Sequence, residues 1–387
     1  MKFAKRMNLF GEGIFARLAT MKRDKVSAGE KVFDLSIGAP NIPPPAHVMK
    51  VLSQEALKPE NYVYAVTDTR ELLNTVAAWY SRRYGVELNP STEICSLWGS
   101  QEGLSHIALT LIDDGDLTLV PDPYYPIFAD GPKFAGSELY FVPQRRENNY
   151  VIDLDEIPAE VAARAKFMVV SYPNNPTTAV APDDFYERLI YFAKRNDIVV
   201  LHDNAYSELI FDGTVGGSFL SFKGAKDVGV EFNSLSKTYG YAGARVGFCL
   251  GNSEVVKRVK LLKSNIDYGL FLPIQKAAIA ALESPPEVID QTRAAYVERI
   301  DALIDGLNAA GWHVDKPRAT MFVWAPVPAG FGTSEEFVAT LFDRANVLVT
   351  PGNAFGQNGE GFVRMALVQT ADVMKEIVAR IKPVLSA

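Results

Sequence analysis

Short apolar runs and longer amphipathic stretches alternate through the middle of the chain. Runs rich in β-formers stand at 94–98 (ICSLW), 117–120 (LTLV), 138–142 (ELYFV), 166–171 (KFMVVS), 197–201 (DIVVL), 229–233 (GVEFN) and 246–250 (VGFCL). Stretches with helical spacing fall between several of them, notably 101–112 and 183–195, and Asp183 and Asp184 after Pro182 suit a helix cap. Strands alternating with helices predict a largely parallel, doubly wound sheet of seven strands. The runs are apolar on both faces, as strands covered by helices on both sides should be.

The pattern changes after residue 250. Residues 254–263, 272–283 and 287–310 read as helices, with Pro285 and Pro286 as punctuation and Gly311 as a helix stop. Short strands around 320–325 and 362–367 and a last helix at 371–382 complete a smaller α+β unit. The expected division is an arm at 1–40 that packs with the small unit, a large domain at 41–285 and a small domain at 286–387. The NIPPPA segment (41–46) reads as a short extended connection.

Composition narrows the function classes. A chain of 387 residues, 48% hydrophobic and 22% charged, suits a two-domain globular protein and excludes fibrous, disordered and disulfide-scaffold classes. With 39 basic and 46 acidic residues the net charge is -7, which argues against nucleic acid or an anionic membrane as a partner. No apolar run approaches the ~18 residues of a membrane helix. The N-terminal segment is broken by Glu12, Arg17 and several lysines, unlike a signal peptide. Cys95 and Cys249, the two cysteines, each lie inside an apolar run and read as buried free thiols of a cytoplasmic protein. The four histidines (47, 106, 202 and 313) lack metal-ligand spacing, so no metal is expected, and GEG at 11–13 follows no strand and is no dinucleotide fingerprint.

In open α/β sheets ligands bind beyond the carboxyl ends of the strands. Polar residues collect there in this chain: Gly99-Ser100-Gln101, then PDPYYP (121–126), YPNNPT (172–177), HDNAY (202–206) and, past EFNSLS, Lys237. A carboxylate ending a strand as apolar as that of Asp203 needs a partner. A lysine in a partly desolvated cleft is suited to Schiff-base chemistry. His202 either orients Asp203 or fills space.

With IGAP (37–40), SLSKTYGYAGARVG (234–247) and FVRMAL (362–367) added in the same order, the chain resembles the class I/II aminotransferases, pyridoxal-phosphate enzymes of the aspartate aminotransferase fold, over nearly its whole length. The wording GSQEGL, HDNAYSEL and SLSKTY is similar to LL-diaminopimelate aminotransferases, although those often carry Ser-Lys where this chain has Ser100-Gln101. The resemblance implies pyridoxal 5'-phosphate as cofactor and transfer of an amino group from an L-amino acid to a 2-oxo acid in a ping-pong sequence. It implies that Lys237 forms the Schiff base, Asp203 pairs with the pyridine nitrogen, Asn175 and Tyr206 bond the phenolic oxygen, and Tyr125 stacks on the ring. Ser100, Gln101, Ser234, Ser236 and Arg245 would hold the phosphate. Arg364 would pair with the substrate carboxylate, with Gly38 closing over it. It further implies a homodimer with shared sites, Tyr64 or Tyr62 reaching the partner's phosphate and Asn265 reaching its substrate. Asp68 stands where the family often has a glycine. A β-lyase on the same fold and a non-enzymatic cofactor-sensing regulator are the alternatives. An acidic chain whose IGAP motif begins at residue 37 speaks against the regulator.

Overall fold

Each of the seven apolar runs forms a strand in the computed structural model, which describes every residue except Glu12, Val215 and Ala387. Glu12, one of the charges that interrupt the N-terminal segment, therefore lies outside the described residues. The strands are β1 (Ile94–Leu97), β2 (Leu117–Asp122), β3 (Glu138–Pro143), β4 (Ala165–Ser171), β5 (Val199–Asp203), β6 (Gly229–Ser234) and β7 (Gly247–Gly251). They form one sheet in the order β1-β7-β6-β5-β4-β2-β3. Neighbours are parallel except where β7 runs antiparallel to both β6 and β1. Residues 235–246 reverse the chain between β6 and β7 through the one-turn helix Leu235–Thr238, which covers no face of the sheet as a crossover helix would.

Alternation along each strand fills both faces. Met168 and Val170 pack beneath the sheet with helices Arg70–Tyr84, Asp183–Asn196 and Leu272–Leu282. Phe167 and Val169 pack above it with Leu104, Phe128 and Val256. β3 departs from the expectation of two buried faces. It is one of the two sheet edges, and Val142 is its one fully buried residue. The expected helix 101–112 is two pieces, Ser100–His106 and Ala108–Leu111. Asp183 and Asp184 occupy the first turn of their helix rather than its cap, which is Pro182, and act there through the helix dipole.

A second core gathers the C-terminal part. Strands Phe322–Pro326, Phe362–Ala366 and Thr350–Pro351 pair antiparallel, with Phe362–Ala366 in the middle. Helices Glu287–Ala309, Ser334–Ala345 and Ala371–Leu385 cover them. The N-terminal segment joins this core: Leu18, Phe33 and Leu35 are buried in it, and Phe33–Asp34 pairs parallel with Val347–Leu348. Lys25 donates to the Phe342 carbonyl at 2.7 Å. The first residues reach the other way, with Phe10 stacked on Phe134 at 4.3 Å. Helix Glu287–Ala309 spans both cores: Ile289 packs under the large sheet, and Tyr296 to Leu307 pack in the smaller one. No helix among the described residues is long and apolar enough to cross a membrane.

Candidate active site

The carboxyl ends of β2, β4, β5 and β6 open into a cleft of about 410 Å³, closed on the far side by Phe322 and Arg364. Twelve residues singled out from the sequence line it: Gly38, Ser100, Gln101, Tyr125, Asn175, Asp203, Tyr206, Ser234, Ser236, Lys237, Arg245 and Arg364. They come from positions as far apart as 38 and 364, so the grouping is a product of the fold.

Asp203 ends β5 and is buried. Burial pushes its carboxyl up to about 7, against the pull of the Ala205 amide and the Lys237 ammonium. Its Oδ1 has no hydrogen-bond partner among the described residues. Lys237 follows β6 in a one-turn helix capped by the Ser234 hydroxyl. Its Nζ donates to the Gly38 carbonyl at 2.7 Å. Burial, then the cations of Arg364 and Arg245, push the amine down to about 8, while Asp203 opposes them. Its neutral fraction near physiological pH is therefore far larger than that of an ordinary lysine, although the ammonium still predominates.

Arg364 sits mid-strand and is buried, with no acidic partner among the described residues. Nη1 donates to Asn175 Oδ1 at 3.0 Å, Nη2 donates to the Ser36 carbonyl at 2.8 Å, and Nε has no partner among the described residues. Ring faces complete its surroundings, with the guanidinium 4.2 Å from the Phe322 centroid and 4.6 Å from that of Phe355. Desolvation lowers it to about 10. A buried cation with neutral partners and a free N–H is a receptor for a carboxylate.

At the opposite end, Arg245 has left-handed backbone (φ 56°) and turns its side chain back over Gly99, where a Cβ would meet Nη2 at 2.3 Å. Gly99 itself needs its φ of 81° to start the turn into Ser100. Arg245 makes no ion pair among the described residues; it donates to the Ala242 carbonyl at 3.1 Å. Beside it, Ser236 accepts from the Ser234 hydroxyl at 3.0 Å, and Tyr125 donates to Gln101 Oε1 at 3.0 Å. Burial raises the phenols of Tyr125 and Tyr206. Two residues past Tyr206, fully buried Glu208 accepts from Arg83 Nη2 and the Tyr84 hydroxyl at 2.8 Å each and from Arg293 Nη2 at 3.1 Å.

His202 does not orient Asp203. Adjacent residues of a strand face opposite sides, and the His202 imidazole lies under the sheet, Nδ1 3.3 Å from Glu231. There Glu231 also accepts from Tyr80, Ser218 and the Phe219 amide. The acidic residue inside GVEFN was the visible signal of this buried polar group. Tyr62, Tyr64 and Asn265 stay outside the cleft. Tyr64 is 86% exposed and packs edge-on to Tyr268, while Asn265 donates to the Leu261 carbonyl at 2.8 Å. Both lie on one exposed face, joined by the bond from the Gly269 amide to the Ala65 carbonyl. Asp68 ties this loop to the sheet through the Ser96 amide (2.9 Å) and hydroxyl, a bond no glycine could make. The aromatic wall of Phe15, Phe322 and Phe355 was not singled out from the sequence. Nothing in the pattern distinguishes these rings from ordinary core.

The residues fit pyridoxal phosphate. An unpaired buried carboxylate oxygen suits a protonated ring nitrogen, a lowered amine suits a Schiff base, and an unpaired arginine beside hydroxyls suits a phosphate. The family model described as aminotransferase class I and II matches residues 30–381. The LL-diaminopimelate aminotransferase of Moorella thermoacetica is 44% identical over 386 residues, covering 100% of this chain and 99% of that protein. The substrate-bound BacF structure from Bacillus subtilis superposes with a TM-score of 0.97 at 35% identity, covering 100% and 98%. An aspartate aminotransferase mutant of Thermus thermophilus gives a TM-score of 0.92 at 25% identity, covering both chains fully.

Proposed function

The chain belongs to the class I and II aminotransferases, and from that premise we propose how its residues share the work of a pyridoxal-phosphate-dependent transaminase. The cofactor, when bound, supplies a carbonyl for the amine and a ring that accepts the electron pair released at the substrate Cα. Lys237 is the amine that holds it. Once displaced, Lys237 takes the proton from Cα and returns it on the cofactor side, a task for which an amine lowered to about 8 is suited. Asp203 holds the ring nitrogen protonated. Asn175 and Tyr206 bond the phenolic oxygen, and Tyr125 covers one ring face. Ser100, Gln101, Ser234, Ser236 and Arg245 bind the phosphate. Arg364 and Gly38 fix the α-carboxylate, which orients the Cα–H toward Lys237.

The enzyme is a homodimer in this proposal. Tyr64, or Tyr62 beside it, reaches the phosphate in the partner's cleft, and Asn265 reaches its substrate. The exposed apolar surface of Val63, Val66, Ile266 and Tyr268 around these residues supports that arrangement. The units 41–285 and 286–387 serve as large and small domains, with the arm 1–40 attached to the second except for its first residues, which touch the large domain at Phe134, and the enzyme works in the cytoplasm. The single observation that carries the catalytic reading is Lys237 and Asp203 in one cleft with the acid-free Arg364.

The test is to incubate the holoenzyme with an amino acid and no 2-oxo acid. A transaminase releases about one equivalent of 2-oxo acid per site and stops, because the ping-pong cycle needs its second substrate. Sustained turnover on the amino acid alone would instead identify a lyase.

A further inference from the structure

We infer that the side-chain end of the cleft selects an amino donor with an uncharged, apolar side chain, preferably aromatic, and that Phe15 on the N-terminal helix sets this preference. The inference rests on the transaminase reading above and names its substrate class.

Every ionised side chain lining the cleft already has a task. These are Asp203, Lys237, Arg245 and Arg364, and once they serve the cofactor and the α-carboxylate no charge remains among the described lining residues for a distal group. Apart from the polar groups given to the cofactor and to Arg364, the lining includes the apolar side chains Phe15, Ile37, Leu104 and Phe322. Phe15 lies 5.7 Å from the Arg364 guanidinium and 6.0 Å, at 70°, from the ring of Phe355. A donor whose carboxylate meets Arg364 thus brings its side chain among ring faces and edges.

The neighbouring basic residues are engaged elsewhere. Arg17, two positions from Phe15, pairs with Glu335 at 3.1 Å, more than half exposed. Arg70 lines a separate depression with Lys263 and Tyr268. The residues proposed to come from the second subunit, Tyr64 (or Tyr62) and Asn265, are also uncharged. A distal carboxylate or ammonium would be desolvated here without a partner, which is strongly unfavourable. An aromatic side chain would instead exchange a large apolar surface from water to ring contacts. LL-diaminopimelate, for which the 44% identical relative is named, carries both charges at its far end.

Two measurements on the holoenzyme test this. The first is half-reaction efficiency with phenylalanine, leucine, alanine, glutamate and LL-diaminopimelate. Phenylalanine and leucine should exceed glutamate and diaminopimelate by about tenfold or more, the size of discrimination a pocket lacking a polar partner commonly gives. In Phe15→Arg the glutamate-to-phenylalanine ratio should rise by about tenfold, while alanine changes far less. The second is equilibrium binding of 3-phenylpropionate against glutarate, which carry the carboxylate but no amine and so read the pocket without chemistry. 3-Phenylpropionate should bind more tightly. A preference for glutamate or diaminopimelate, tighter glutarate binding, or an unchanged ratio in Phe15→Arg overturns the inference. Preferential 3-phenylpropionate binding with no turnover of any donor would overturn the transaminase reading and leave the apolar pocket standing.

Discussion

Lys237 and Asp203 perturb each other only weakly compared with what burial does to both, and this sets their pH behaviour. The Lys237 amine, lowered to about 8 with Arg364 as its chief charged perturber, should capture added cofactor with a rate that rises through a midpoint near pH 8. In Arg364→Ala the loss of that cation should move the midpoint upward, and Lys237→Ala should capture none covalently while keeping its fold. Stopped-flow absorbance of the cofactor-free protein reads all three. Asp203 shifts the other way. Between 3.8 and about 7 the folded, cofactor-free chain holds a proton there that the unfolded chain has released, so this residue's contribution to stability falls as pH rises through that window. Asp203→Asn should therefore flatten the decline in Tm between those pH values, and an unchanged pH profile would show that the carboxyl is not desolvated. Arg364→Ala should also lower kcat/KM for every amino donor regardless of side chain, by an amount matching the ~1.5–3 kcal/mol of a charge-assisted bond. Loss confined to acidic donors would place Arg364 at the wrong end of the substrate.

At the scale of elements, β7 and the turn after β1 meet so closely that one methyl group decides the outcome. A Cβ on Gly247 would stand 2.6 Å from the Ser100 amide nitrogen and 3.0 Å from the Asn233 carbonyl oxygen. These are backbone atoms, which cannot swing aside. Gly247→Ala should lower stability by about 1–3 kcal/mol, as overpacking does, and should weaken cofactor retention by displacing Ser100. Thermal melts and cofactor dissociation measure the two effects, and a neutral substitution would mean that the turn is free to move. The strands were legible in the sequence because apolar β-branched runs between helical stretches leave little alternative. The antiparallel direction of β7 and the edge position of β3 were not, since strand order depends on connections rather than on composition. His202 shows the same limit: its neighbour in sequence is Asp203, but the pleat places its neighbour in space, Glu231, on the other side of the sheet.

At the scale of the whole molecule, the face carrying Tyr62, Tyr64 and Tyr268 is left exposed by the described residues. In solution it should be covered by a second copy. Sedimentation of the wild type should give a dimer at micromolar concentration, and Val66→Asp with Tyr268→Asp should give a folded monomer that loses its cofactor more readily. An active monomeric wild type would refute the shared site. Family membership was determined by the sequence alone, and the residues proposed to hold the cofactor were picked out there too, because Schiff-base chemistry on a phosphate-bearing ring demands particular side chains at strand ends, and those leave motifs. The surroundings of Arg364 were decided only by the tertiary structure. Phe15, Phe322 and Phe355 meet from three distant stretches of chain, and apolar contact is non-directional, so it requires shape and leaves no motif.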